Sequence, residues 1–174
     1  MQREQLRILA INPGSRYLGF AVFYGTDLRE WRVRAMRQDS FQEKVKDVRA
    51  LMSEIVSRYG VNTLATKKLD PFRSSKELQN LITRIKDAGK AIGLKVSEYS
   101  ISEVKSHFFP RVRANKRQLM EDVVSRYPFL FHELERAQNG KHPYFIRMFE
   151  AIAVGVVCCS KLESRKTKVG SSIC

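Results

Sequence analysis

The sequence predicts an α/β fold built on five strands, and three observations predict it. Residues 7–35 carry three short apolar runs separated by turn residues. After Ser40 the apolar spacing changes from two to three and four. From there helix-like and strand-like segments alternate along the chain, the order expected of an α/β protein.

Each element has its own signal. Arg7 to Asn12 reads as a buried strand, ended by the turn Pro13-Gly14-Ser15. Leu18 to Tyr24 reads as a second strand. Past Gly25, Thr26 and Asp27, the alternation of Trp31, Val33 and Ala35 gives a third. Short turns between the three make an antiparallel meander. Ser40 followed by Glu43 is a capping-box pattern, in which hydroxyl and carboxylate satisfy free amides of a first helical turn. Val45, Val48, Met52, Ile55 and Tyr59 follow at helical spacing, predicting a helix over Phe41–Tyr59 closed by Gly60.

Val61 to Thr66 reads as the fourth strand and Lys95 to Tyr99 as the fifth. Between them a helix opens at Ser74–Glu77 and ends near Gly93. Ser100 and Glu103 cap the next helix, and Asn139-Gly140 marks the loop before a last one, from about Pro143 to Leu162. Residues 1–162 are expected to form one domain, and 163–174, basic and serine-rich, a disordered tail.

Composition narrows the function. Lys and Arg number 32 against 18 Asp and Glu, a formal charge of +14. Such an excess suits a polyanionic partner, because each neutralised phosphate releases condensed counterions. Of the three cysteines, Cys158 and Cys159 are adjacent in an apolar run and Cys174 stands apart. None forms a C-x-x-C pair, which argues against a zinc site or a disulfide framework. His107, His132 and His142 have no metal-ligand spacing. The first residues lack a hydrophobic signal region, and the run Ala151–Cys159 is far below the roughly 20 residues of a membrane span. A cytoplasmic protein without membrane contact is expected.

Ile11 to Val22, INPGSRYLGFAV, resembles the first hairpin of RuvC-type Holliday junction resolvases, I-D-P-G-S-x-x-x-G-x-x-V. Asn12 stands where that family has its first catalytic Asp. Lys67 stands where the fourth strand of the family ends in Glu. Glu98 to Lys105 resembles the exit of the fifth strand, and Ala114 to Leu119 the polar segment that opens a helix. Met148 to Gly155 resembles the last helix, with Glu150 in place of its final Asp and Arg147 in place of an acid or His three residues earlier. The resemblance runs in order and spacing from Ile8 to about Gly155. It implies an RNase H-like fold: a mixed five-stranded sheet flanked by helices, and a homodimer facing the two strands of a junction.

In that family the four positions hold a pair of magnesium-like ions that activate water and stabilise the leaving oxygen. Hard divalent cations require anionic oxygen ligands. Asn12, Lys67, Arg147 and Glu150 carry 0, +1, +1 and −1. A site of that charge repels the ions, so no metal and no cofactor is expected, and strand cleavage is lost or strongly impaired. Lys67 and Arg147 are instead expected to pair with Glu150, since an unpaired buried carboxylate is costly. The alternative is an active metal-dependent junction endonuclease, using Mg²⁺ or Mn²⁺ in a rearranged site to which Asp70 supplies an acid.

The expected partner is nucleic acid, DNA rather than RNA and branched or structured. Lys68, Arg73, Lys105, Arg111, Arg113, Lys116 and Arg117 are the candidate contacts. Phe108 and Phe109 interleave with that cluster, and Pro110 predicts a loop over Phe109–Ala114. Cations on such a loop suit phosphates, and an exposed Phe there would stack on a base, although Phe108 is expected in the core.

Overall fold

The computed structural model describes residues 4–140 and 144–170. Its elements run β1 (Arg7–Pro13), β2 (Tyr17–Tyr24), β3 (Asp27–Ala35), α1 (Phe41–Tyr59), β4 (Thr63–Lys68), α2 (Lys76–Ala91) and β5 (Lys95–Ser100). They continue as α3 (Ile101–Phe108), α4 (Lys116–Arg126), a 3-10 turn at Pro128–Leu130, α5 (Phe131–Asn139) and α6 (Tyr144–Gly170). The sheet order is β3-β2-β1-β4-β5. The first three strands are antiparallel, and β4 and β5 lie parallel to β1, so the sheet is mixed.

Side chains alternate across the sheet, and the two faces make two cores. Leu9, Ile11, Leu18, Phe20, Val22 and Leu64 face α1 and α2. Ile8, Ala10, Ala21, Phe23, Ala65 and Tyr99 face α6 and the smaller helices. Residues 151–159 of α6 are buried without exception, as befits a helix apolar on all sides that lies between the sheet and α3–α5. Burial raises the pKa of Cys158 and Cys159, so both thiols are packed as small apolar groups.

Two glycines set how closely α6 approaches. A Cβ on Gly155 would lie 2.1 Å from the Phe23 ring. A Cβ on Gly19 would lie 2.1 Å from the backbone carbonyl oxygen of Arg147, at the first turns of α6. Gly19 pairs with Asn12 across β1 and β2, so this contact also fixes the helix over the end of β1.

Two boundaries and one element differ from the sequence reading. Ser75, not Ser74, caps α2, accepting from the Leu78 amide. α5 escaped notice because it buries only Leu134 and Ala137 and begins without a side-chain cap. α6 continues past Leu162 to Gly170, which corrects the disordered tail expected from 163. Its Ser164 and Thr167 hydroxyls donate back to the Ser160 and Glu163 carbonyls, so the serine-rich composition is compatible with helix there. His142, Pro143 and Cys174 lie outside the described residues. No helix among the described residues is long and apolar enough to cross a membrane.

Gly19→Ala is expected to cost about 3 kcal/mol, because the obstructing atoms are backbone and must move as a unit. Gly93→Ala, where the backbone φ is +84° with nothing near the new Cβ, costs about 1–2 kcal/mol of conformational strain alone. Urea unfolding of both variants checks the order.

Candidate functional site

Register and alternation bring the site together. Ile11 of β1 is opposite Thr66 of β4, so Asn12 and Lys67, one residue on, sit side by side at the carboxyl ends of the two strands. Both belong to the face that carries α6. Arg147 and Glu150 are one turn apart at the start of α6, and the Gly19 contact presses that turn against the sheet.

Glu150 is the centre, its side chain only 3% exposed. The Asn12 amide donates to Glu150 Oε2 at 2.8 Å and lies 3.2 Å from the Arg147 carbonyl oxygen, to which it also donates. Lys67 Nζ is 3.3 Å from Oε2 and Arg147 Nη1 is 3.8 Å from the same oxygen. Lys116, at the start of α4, places Nζ 3.5 Å from Oε1. Asn12 is itself fully buried, and its Oδ1 has no hydrogen-bond donor among the described residues.

Burial pushes the Glu150 carboxyl up, but Lys67, Lys116, the Asn12 amide and Arg147 together outweigh it and hold the group below its usual value. Glu150 is therefore an anion. Three cations surround one carboxylate, leaving a surplus of two positive charges in the pocket.

All four residues singled out as the degenerate site thus meet, and Lys67 and Arg147 pair with Glu150 as expected. Among the candidate nucleic-acid contacts, Lys116 also reaches Glu150. Its approach to Glu150 depends on the α4 start, which Asn115 caps through a reciprocal bond with Gln118. The Asn115–Gln118 spacing was visible in the sequence; where it would aim Lys116 was not. Lys68, Arg73, Arg111, Arg113 and Arg117 are exposed and Lys105 is half-buried, and none of the six makes a polar contact with Glu150 among the described residues. Phe108 and Phe109 both pack against the core, so the aromatic expected on the Phe109–Ala114 loop is not presented there.

The most exposed aromatic among the described residues is elsewhere. Phe72 is 97% exposed, in the loop that leaves β4 just beyond Lys67 and Lys68. Asp70 builds that loop: its carboxylate accepts from the Phe72 amide at 2.9 Å and pairs with Arg73. The signal was Asp70-Pro71, a turn that projects whatever follows it.

A pair of divalent ions does not fit this donor set. Among the described residues no three of His, Cys, Asp and Glu come together at metal-binding distance. The one carboxylate in the pocket is surrounded by cations, and Asp70 is engaged in its own turn.

Glu150→Gln is expected to lower stability at neutral pH by about 1–3 kcal/mol through loss of charge-assisted contacts. Because the folded-state pKa is depressed, that difference is fully present above the unfolded value near 4.3. It disappears as pH falls through the folded value. Urea titrations of both proteins between neutral and acid pH measure it.

No family model and no curated protein sequence matches the chain. Solved structures do. Thermus thermophilus RuvC in complex with a Holliday junction substrate superposes with a TM-score of 0.66 at 18% identity, over 87% of this chain and 91% of that one. The yeast mitochondrial Holliday junction resolvase Ydc2 gives 0.61 at 12% identity, over 97% and 85%. The fowlpox virus resolvase, in complex with Holliday junction DNA, gives 0.56 at 12% identity, over 90% and 99%. With its five-stranded mixed sheet, its closing helix laid across β1 and β2, and these superpositions, the chain has the RNase H-like fold of the RuvC-type resolvases.

Proposed function

We propose that this chain is a RuvC-like protein that binds branched or otherwise structured DNA as a homodimer and has lost two-metal strand cleavage. DNA binding is supported by the fold shared with two resolvases solved on Holliday junctions, and by the formal charge of +14. The observation that carries the loss of cleavage is Glu150: a buried carboxylate with three cations within 4 Å, where hydrolysis would need a cluster of acids.

The basic residues divide by position. Lys68 and Arg73 flank the Phe72 loop, while Arg111, Arg113 and Arg117 lie on and after the loop between α3 and α4. In this reading these exposed cations follow phosphates. Phe72 offers a free ring on which an unpaired base at a branch point stacks.

A labelled four-way junction incubated with the chain in Mg²⁺ or Mn²⁺ is expected to be bound and left intact, with affinity falling steeply as salt rises. Robust metal-dependent scission overturns the proposal. Phe72→Ala is expected to weaken junction binding by about 1–3 kcal/mol, with a much smaller effect on a continuous duplex. Gel shifts on the two substrates compare them.

A further inference from the structure

We infer that the pocket around Glu150 is a metal-independent seat for one phosphodiester group of the bound nucleic acid, held by Lys67, Lys116 and Arg147. The inference rests on the proposed DNA binding and names what this pocket contributes to it.

The argument begins with donors. Each ammonium has three N–H groups and the guanidinium five. Among the described residues only one of these makes a hydrogen bond within the pocket, Lys67 to Glu150. Lys116 and Arg147 stand at 3.5 and 3.8 Å, close enough for attraction and too long for a committed bond. Three cations share one carboxylate, so two positive charges and most of their donors remain unspent.

Exposure gives the direction. Glu150 is 3% exposed, Lys67 16%, Arg147 29% and Lys116 58%. The charge thus grades from a buried anion to a solvent-facing cation, and an incoming oxyanion meets cations first. The pocket also lies at the carboxyl ends of β1 and β4, beside the loop that displays Phe72 and at the start of the helix carrying Arg117. A nucleic-acid strand contacting those exposed residues passes over it. Guanidinium and ammonium groups are the ordinary ligands of a phosphate. Here they supply the positive charge without a divalent ion.

Glu150 is the internal competitor of that phosphate, and this makes the proposal testable by sign. Removing the Glu150 charge frees the cations for a phosphate, and removing Lys116 takes one contact away, which the salt slope counts. Fluorescence anisotropy of a labelled four-way junction, with EDTA present throughout, measures wild type, Glu150→Gln and Lys116→Ala across a salt series.

Wild-type binding is expected to persist in EDTA. Glu150→Gln binds tighter by on the order of tenfold. Lys116→Ala binds about tenfold weaker, and its salt slope falls by about 0.9, the value for one lost phosphate contact. Inorganic phosphate competes with the junction in the wild type.

Folded Glu150→Gln that binds no tighter, or a Lys116→Ala slope equal to wild type, overturns the inference. So does inorganic phosphate that binds without displacing DNA, which would mark a free-anion site. If Glu150→Gln does not fold, the Lys116→Ala slope decides alone, since that side chain is mostly in solvent. A wild-type chain that binds no junction at any salt overturns the proposed function itself; binding that ignores the pocket variants overturns only the phosphate seat.

Discussion

A carboxylate removed from water stays ionised only if positive charge and hydrogen-bond donors go in with it. Glu150 meets that condition with groups from four separate elements: Asn12 on β1, Lys67 on β4, Lys116 on α4 and Arg147 on α6 itself. The arrangement is therefore more than a local pair. It joins the start of the longest helix to the two central strands and to the neighbouring helix, at the end of the molecule where the strand carboxyl termini converge. The Gly19 contact makes the same connection through backbone packing, so the electrostatic and steric constraints act on one turn of α6.

Most of the fold was legible because its signals are local and strong. Capping patterns placed α1 and α3, glycine at position 60 ended α1, and period-two alternation exposed the meander. The mixed five-stranded sheet came from resemblance, and its order from the structure alone, since no local pattern in β4 or β5 says which neighbour it pairs with. α5 stayed hidden because its stability comes from tertiary contact of two small-to-medium apolar residues, and its entry carries no capping side chain. The extension of α6 was missed for the opposite reason: a polar, serine-containing stretch looks unstructured unless the preceding helix already supplies its nucleus.

The site was legible in part. Asn12, Lys67, Arg147 and Glu150 could be named only through the resemblance to RuvC-type resolvases; β1–β4 register and an i,i+3 step then account for their meeting. Lys116 could be named as a cation but not as a member of the pocket, since its position depends on the path of the loop over residues 109–115. The loop over residues 109–114 does not present the exposed ring expected of it. Phe109 lies next to a proline in a basic segment, as an exposed ring would, yet it folds back onto the core. Phe72 is the most exposed aromatic among the described residues.

The Asn12 amide has a consequence beyond holding Glu150. It donates one way to a carboxylate oxygen and the other way to the Arg147 carbonyl. An ionised aspartate in the same place would confront both oxygens with no proton to give either. What position 12 requires is therefore a donor with two protons to give, and charge alone does not meet that requirement. The amide thus acts as a two-ended bolt, tying the end of β1 at once to the backbone and to a side chain of the first turns of α6.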